Sequence, residues 1–204
     1  MISRSQTCLV IDIGKTNLKI HALDESDNHL ISFNRKNNIC KKNSYHSVDV
    51  DDIWNWILKT IEICANKFQI SSLVVSGHGA TAALINKSNE DNGLALPIMD
   101  YEWEGLESIS TEYEVKRPSF DETFSPNLPA GLNLGRQIYW QQKHFPEKFN
   151  NAEALLMYPQ YWTWRLTGKL TSEVSSIGCH TDLWDPIKKN FSSLVDNENW
   201  SRLF

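Results

Sequence analysis

A carboxylate that precedes a tight polar turn is the first feature with evident chemistry. In the segment CLVIDIGKTNLKIHAL, an aspartate interrupts an apolar run two residues before a glycine. A carboxylate buried among apolar side chains is costly unless a cation compensates it. Carboxylates bind Mg²⁺, and turn amides, hydroxyls and lysines bind phosphate. The segment therefore predicts a site for a metal-bound phosphate at Asp12, Gly14, Lys15, Thr16 and Asn17.

The same turn also fits a plain β-hairpin. In that interpretation Asp12 accepts hydrogen bonds from turn amides. In the phosphate-binding interpretation Gly14 allows a positive φ and a close backbone approach. The tripeptide GKT resembles the end of a Walker phosphate loop, but that motif needs a glycine at position 9 and a helix after the threonine. Position 9 is Leu9, and an apolar strand pattern follows the turn, so the Walker interpretation fails.

The apolar patterns around the turn predict a β-meander followed by a helix. They indicate strands over 7–13, 17–24 and 29–35, separated by good turn residues. Apolar residues at three- and four-residue steps predict a helix over 50–68, with Asp49 as its N-cap. A meander and a helix that returns to the sheet begin the ribonuclease-H-like fold, so we predict an α/β chain of that class.

Later patterns are shorter and leave any domain boundary invisible. They predict, in chain order, a strand over 72–77, a strand over 94–100, helices over 133–145 and 159–167, and a strand-like piece over 179–185. In that last piece His180 and Asp182 interrupt an apolar pattern, which suggests a functional site, but we favour the polar face of an edge strand. No repeat or low-complexity linker divides the chain.

Composition excludes several classes of protein. The chain has 204 residues, 41% hydrophobic and 22% charged, with a net charge of −5. It therefore offers no basic field for nucleic acid or anionic membrane. No apolar run approaches the length of a membrane span, and the N-terminus lacks the apolar core of a signal peptide. The four cysteines show no paired metal spacing, so we expect a reduced, cytoplasmic protein without nucleic-acid or membrane partners.

Several segments, in order, resemble the FGGY carbohydrate kinases. DIGKTNLKI resembles their first phosphate motif, usually Asp-x-Gly-Thr-Thr-Ser, while VVSGHGATAALI and LPIMDYE resemble the segments that line the sugar site. GRQIYW resembles a helix usually read as lysine, leucine and tryptophan, and YPQYWTWRLTG resembles a Pro-x-x-Tyr/Trp-x-x-x-x-Leu-Thr-Gly stretch. TSEVSSIG resembles the family's Thr-Asp-x-Ser-x-Ala-Ser segment. The resemblance extends over nearly the whole chain and includes the rhamnulose, fuculose and xylulose kinases.

This resemblance implies the fold shared by actin, the heat-shock ATPases and the sugar kinases, and transfer of the ATP γ-phosphoryl group to a sugar hydroxyl. ATP and Mg²⁺ are the implied cofactors, with Mg²⁺ at Asp12 and phosphates on the turn 14–17. The implied sugar contacts are His78, Gly79, Asp100, Tyr101 and Glu102. A structural cap remains the alternative for His78, as does a turn or helix cap for Asp100.

The sequence departs from the family in three places. Lys15 stands where Thr or Ser is usual. In the sugar turn, residues 78–81 (HGAT) replace Gln-Met-His-Gly or Gln-Arg-Glu, which does not support xylulose or glycerol as substrate and leaves a deoxyketose such as rhamnulose or fuculose open. The family's base aspartate follows a glycine, whereas none of the nine glycines here precedes an aspartate. We therefore expect the base and the adenine-binding half beyond Phe204. Residues 1–204 would then be an incomplete N-terminal domain, inactive alone.

Two other classes of protein remain open. One is a non-catalytic sugar- or nucleotide-binding remnant, which the missing base favours. The other is a different ATPase of the same fold, such as a sugar sensor or an actin-like assembly protein. The Leu-Thr-Gly helix end and the 171–185 segment count against the latter. Beyond sugar and ATP, the expected partner is a C-terminal half or a second copy of the chain.

Overall fold

The computed structural model describes residues 6–204, which form two compact units. Unit 1 contains the described residues up to 38 together with 49–78, and unit 2 contains 39–48 and 79–204. The division was not visible in the sequence, because no repeat or low-complexity segment marks the points where the chain passes from one unit to the other. The predicted phosphate turn at 14–17 lies in unit 1, and the predicted sugar contacts are divided, with His78 in unit 1 and Gly79, Asp100, Tyr101 and Glu102 in unit 2.

The elements over residues 6–204 are mostly short outside unit 1. The strands are β1 (Gln6–Ile13), β2 (Asn17–Leu23), β3 (His29–Lys36), β4 (Ile39–Cys40), β5 (Ser47–Val48), β6 (Gln69–Gly77), β7 (Ala82–Ile85), β8 (Ala154–Met157), β9 (Trp184–Asp185) and β10 (Asn190–Phe191). The α-helices are α1 (Val50–Lys67), α2 (Ser110–Lys116), α3 (Phe120–Thr123), α4 (Leu134–His144), α5 (Pro146–Asn150), α6 (Tyr158–Thr167), α7 (Val174–Ile177) and α8 (Ser193–Asn197). Two 3₁₀ helices are Glu104–Ile109 and Ser201–Leu203.

Unit 1 is a four-stranded sheet in the order β3-β2-β1-β6. β1 pairs antiparallel with β2, β2 pairs antiparallel with β3, and β1 pairs parallel with β6. This arrangement confirms the predicted meander and the predicted returning strand. In the described part of the sheet β6 has no neighbour on its second side, and Leu73 and Val74 on it are 41% and 51% exposed.

Helix α1 connects the meander to the parallel strand. Asp49 caps its first turn, because the Asp49 carboxylate accepts a hydrogen bond from the backbone N–H of Asp52 at 3.2 Å. Cys64 on the buried side of the helix packs with Leu9 and Ala22 of the sheet, all at most 1% exposed. The predicted helix and its N-cap are therefore confirmed.

Unit 2 packs helices and loops around a large apolar core that includes β7 and β8. Helices α4 and α6 confirm the two predicted helices. Gly168 ends α6 with φ 72°, a left-handed cap that glycine adopts without steric strain. Among residues 6–204, no helix is both long and apolar enough to span a membrane. The four cysteines are all free thiols.

The predicted strand over 94–100 is wrong. Its contacts are two isolated bridges, Ile85 with Leu94 and Ser47 with Met99, rather than a ladder. Pro97 lacks the N–H that a ladder needs, and its carbonyl instead accepts a hydrogen bond from the Tyr45 hydroxyl at 2.7 Å. An apolar run was therefore buried without becoming a strand.

The edge-strand interpretation of residues 179–185 is also wrong. His180 and Asp182 have φ of 55° and 65°, so the chain turns there, and regular pairing begins only at Trp184. Asp182 is fully buried and forms an ion pair of 3.0 Å with Arg117. Its carboxylate also accepts hydrogen bonds from Tyr113 Oη at 2.9 Å and from Asn133 Nδ2 at 3.2 Å. The residue is a structural anchor.

We expect Arg117→Met to lower the free energy of unfolding by about 3–5 kcal/mol near neutral pH, because it leaves the Asp182 carboxylate buried and unpaired. Burial raises the pKa of Asp182, and Arg117 opposes that rise. Removing Arg117 raises the pKa further. The folded state then binds its proton more tightly than the unfolded chain and loses stability as pH rises through the folded pKa. The difference in free energy of unfolding between the wild type and Arg117→Met should therefore become smaller at acidic pH.

Urea unfolding followed by tryptophan fluorescence measures this effect at about pH 5 and about pH 7. Lys116→Met is the matched control, because Lys116 is the neighbouring residue and its ion pair with Glu198 is 46% exposed on the lysine side. The control should unfold close to the wild type. A deficit for Arg117→Met no larger than the control's would show that the buried pair is not an anchor.

Candidate functional site

Asp12 lies at the carboxyl end of β1, on the face opposite the core. The strand alternates, so Ile11 and Ile13 are fully buried and Asp12 between them is only partly buried. Its Cα neighbours are Lys19 on β2 and Ser76 on β6. The expectation of a carboxylate buried among apolar side chains is therefore wrong, because the run CLVIDI has one buried face and one accessible face.

The turn after β1 is closed by its own backbone. The N–H of Gly14 donates to the carbonyl oxygen of Asn17 at 3.0 Å. A Cβ on Gly14 would lie 2.8 Å from that same oxygen, so glycine is required by close approach. Of the two properties that glycine allows here, the close approach is the one used, since positive φ among the described glycines occurs at Gly93 and Gly168. The Gly14 amide is already engaged within the turn.

Asn37, just after β3, is a residue of this turn that sequence reasoning missed. Its side-chain Nδ2 donates to the carbonyl of Gly14 at 2.9 Å, and its backbone N–H donates to the carbonyl of Thr16 at 2.8 Å. Both carbonyls are thereby fixed, which orients the peptide groups between them. The signal was an asparagine placed where the β2–β3 hairpin ends beside the first turn.

His78 reaches the same end of the sheet because β6 runs parallel to β1. Ile13 pairs with Gly77, and the backbone N–H of His78 approaches the carbonyl of Ile13 at 3.4 Å. The structure therefore brings His78 together with the turn that follows Asp12. Ligand sites in parallel sheets form at this carboxyl end.

The donor set at this end of the sheet fits a magnesium ion that brings its own ligands. Over residues 6–204, no three histidines, cysteines or carboxylates converge in a way that could hold a metal. Mg²⁺ is commonly held by one or two carboxylates, with phosphate and water completing its shell. Asp12 can supply one carboxylate of that kind, while the neighbouring Thr16 and Asn17 are solvent-exposed.

The remaining predicted sugar residues, Gly79, Asp100, Tyr101 and Glu102, lie in unit 2. Asp100 is 6% exposed, and its Oδ1 accepts a hydrogen bond from the backbone N–H of Glu102 at 3.1 Å. The carbonyl of Asp100 accepts from the N–H of Trp103 at 2.9 Å. One oxygen of the Asp100 carboxylate therefore caps a turn, which is the alternative role considered for it from the sequence.

That turn forms one side of an open pocket of about 500 Å³. The pocket combines an apolar wall with three carboxylates, and its lining residues are Tyr101, Glu102, Glu104, Glu107, Pro129, Ala130 and Leu132. Burial raises the pKa of Tyr101, and the charges of Glu102 and Asp100 add to the rise. Its phenol therefore remains protonated and able to donate a hydrogen bond at neutral pH.

The opposite wall of the pocket is a loop that buried side chains hold in place. Arg136, 4% exposed, donates from Nη1 to the carbonyl of Ala130 and from Nη2 to Oδ1 of Asn127, both at 2.8 Å. Asn133 Oδ1 accepts from the N–H of Leu128 at 2.8 Å. Sequence reasoning missed these residues, because buried polar positions on an amphipathic helix resemble surface positions.

The chain matches the model of the FGGY family of carbohydrate kinases, N-terminal domain, over residues 7–195. A carbohydrate kinase from Novosphingobium aromaticivorans superposes with a TM-score of 0.89 at 36% identity. The match covers 98% of this chain and 41% of that one.

Two more distant structures share the fold. A gluconate kinase from Lactobacillus acidophilus has a TM-score of 0.81 at 15% identity, over 97% of this chain and 40% of that one. A ligand-bound xylulose kinase from the same organism has a TM-score of 0.79 at 16% identity, over 95% and 40%. The chain thus spans about two-fifths of these structures.

The sheet order shows the meander and the returning parallel strand, and the family match extends over residues 7–195. They confirm the predicted ribonuclease-H-like class, which the sugar kinases share with actin and the heat-shock ATPases. The chain belongs to the FGGY family of carbohydrate kinases, as an N-terminal domain of that family.

Proposed function

We propose that this chain supplies the sugar-binding and phosphate-binding elements of an ATP-dependent carbohydrate kinase that phosphorylates a sugar hydroxyl. The observation that carries the proposal is the carboxyl end of the β1–β6 pair. There a carboxylate, a fixed polar turn and a histidine lie side by side. Phosphoryl transfer depends mainly on positioning and on neutralising charge, and this arrangement is suited to both.

Asp12 is the proposed contact for Mg²⁺, directly or through water. When bound, the ion would neutralise charge on the nucleotide phosphates. Thr16, Asn17 and Lys15 present hydroxyl, amide and ammonium groups to the phosphates from a turn whose shape Gly14 fixes. We do not assign a catalytic base in this chain, because no glycine here is followed by aspartate. The finer proposal is therefore that residues 1–204 alone do not catalyse phosphoryl transfer to a sugar.

The pocket in unit 2 is the proposed site of the sugar, and its charge favours an uncharged one. Apolar atoms of Pro129, Ala130 and Leu132 suit the C–H face of a sugar or the methyl group of a deoxysugar. Glu104 and Glu107 place negative charge at the same pocket, which opposes a sugar acid. The shared fold does not decide this selectivity, since both a gluconate kinase and a xylulose kinase have it.

The test of function is a coupled assay for ATP hydrolysis and sugar phosphorylation across ketoses, deoxyketoses and polyols, together with calorimetric sugar binding. We expect the 204-residue chain to bind an uncharged sugar without turnover. Turnover by this chain alone would mean that a carboxylate within it acts as the base. Binding of sugar by a complete protein that never phosphorylates it would favour the non-catalytic alternative.

We expect Asp12→Ala in the complete protein to lower phosphoryl transfer by about a hundredfold or more, because the charge that orients Mg²⁺ is lost. The free energy of unfolding should change by less than about 1 kcal/mol, since Asp12 is only partly buried. Rates and urea unfolding measure the two effects. Glu25→Ala, an exposed carboxylate in the β2–β3 turn, is the control. Unfolding of Asp12→Ala would instead make the residue structural.

We expect L-rhamnulose to bind more tightly than L-rhamnonate, a sugar acid with the same carbon skeleton. Each carboxylate at contact distance should weaken the anion about fivefold, and salt should reduce the difference. Replacing both Glu104 and Glu107 with glutamine should reduce the difference in affinity between L-rhamnulose and L-rhamnonate. Glu147→Gln, outside the pocket lining, should leave that difference unchanged. Equal binding of both sugars by the wild type would disprove the charge selectivity.

A further inference from the structure

Gln137 lies in the first turn of α4 and is 2% exposed. Its side-chain Nε2 carries two hydrogens, and both are used. One is donated to the carbonyl oxygen of Ala80 at 2.7 Å, and the other to the carbonyl oxygen of Gly131 at 2.6 Å. A buried amide with both donors engaged by backbone from two distant segments fixes the distance between those segments.

The first of these carbonyls belongs to the turn that follows β6. Ala80 has φ 55°, a left-handed conformation that is strained for any residue with a Cβ. The next residue, Thr81, is buried, and its carbonyl accepts from the N–H of Tyr158 at 3.0 Å. The strained peptide is therefore held from both sides, with Gln137 bonded to the carbonyl of the strained residue itself.

The second carbonyl belongs to Gly131, which lies in the chain between the pocket-lining residues Ala130 and Leu132. The backbone N–H of Gly131 donates to the carbonyl of Tyr101 at 2.8 Å, so Gly131 joins the pocket wall to the turn that begins at Asp100. A Cβ on Gly131 would lie 2.9 Å from the Tyr101 oxygen and 3.0 Å from Leu106 Cδ1. The backbones of Gly131 and Tyr101 therefore approach so closely that a side chain at position 131 would not fit without a shift.

The contacts form one chain from Ala80 through Gln137 and Gly131 to Tyr101. We infer that Gln137 is a positioning residue for sugar binding, which sets the Gly79–Thr81 turn and the Asp100–Glu102 turn at one fixed separation. The inference rests on the proposed function and on the predicted sugar contacts Gly79, Asp100, Tyr101 and Glu102, which lie in these two turns. Gln137 touches neither sugar nor nucleotide in this account and acts only through backbone.

Removal of the amide has a specific consequence. Gln137→Met keeps a side chain of similar length but removes both donors, so the carbonyls of Ala80 and Gly131 lose their partner. The strained peptide at Ala80 is then free to relax, and the 127–132 loop loses its bond to Gln137 while its bonds to Arg136, Asn133 and Tyr101 remain. Sugar affinity should fall on the order of tenfold, the lower end of the loss that follows when outer hydrogen-bond partners are removed from metal sites.

The matched control is Gln142→Met on the same helix. The Gln142 side-chain amide also forms two hydrogen bonds. It accepts from Nε1 of Trp200 at 2.8 Å and donates to the carbonyl of Glu198 at 3.4 Å, and both partners lie outside the predicted sugar segments. Calorimetric binding of L-rhamnulose, L-fuculose and D-xylulose to the 204-residue chain is the measurement. Thermal unfolding and hydrogen exchange of peptides that cover 79–81 and 129–132 accompany it.

The expected result is weaker sugar binding and faster exchange in both peptides for Gln137→Met, with Gln142→Met lowering only the melting temperature. Gln137→Asn keeps the amide on a shorter side chain, so its sugar affinity should lie between those of the wild type and Gln137→Met. It replaces the methionine variant in the test if that variant does not fold. Wild-type affinity in a folded Gln137 variant would overturn the inference and leave the proposed function standing. Failure of the wild type to bind any of these sugars would overturn the proposed function itself.

Discussion

The parallel pairing of β1 with β6 is the constraint on which the rest of unit 1 depends. Parallel strands cannot be joined by a hairpin, so the chain needs a crossover, and α1 provides it. Because both strands run in the same direction, they end at the same edge of the sheet. The turn at 14–17 and His78 become neighbours for that reason, although more than sixty residues separate them in sequence.

In unit 2 the loops are positioned by buried polar side chains rather than by long β-ladders. Its loops are held by buried polar side chains that reach backbone carbonyls, most clearly Arg136 and Gln137 on α4 and Asp182 with its partners. A buried polar group is stabilising only when its partners are complete, so such a region has few alternative arrangements. Rigid loops of this kind let a small ligand meet preformed walls.

The sequence was sufficient where one physical signal dominated. Alternation placed β1, β2 and β3, and helical spacing with a capping aspartate placed α1. It was insufficient where tertiary contacts decided the outcome. Pro97 and its bonded carbonyl kept an apolar run out of a ladder, and burial turned Asp182 from an apparent surface residue into an anchor. Gln137 carried no local signal at all, since its partners are 57 and 6 residues away. The roles of Lys15, Thr16 and the sugar contacts stay predictions.

The sheet edge formed by β6 has a consequence for the solubility and association state of the chain. Among the described strands β6 has one bonded neighbour, so it presents a row of backbone donors and acceptors along its other side, and the exposed side chains of Leu73 and Val74 add apolar surface on the faces of the same strand. Such an edge is a template on which another strand can add. Concentrated preparations of residues 1–204 should therefore self-associate through sheet extension, and dilute solutions or a charged residue engineered onto that edge would keep the chain monomeric.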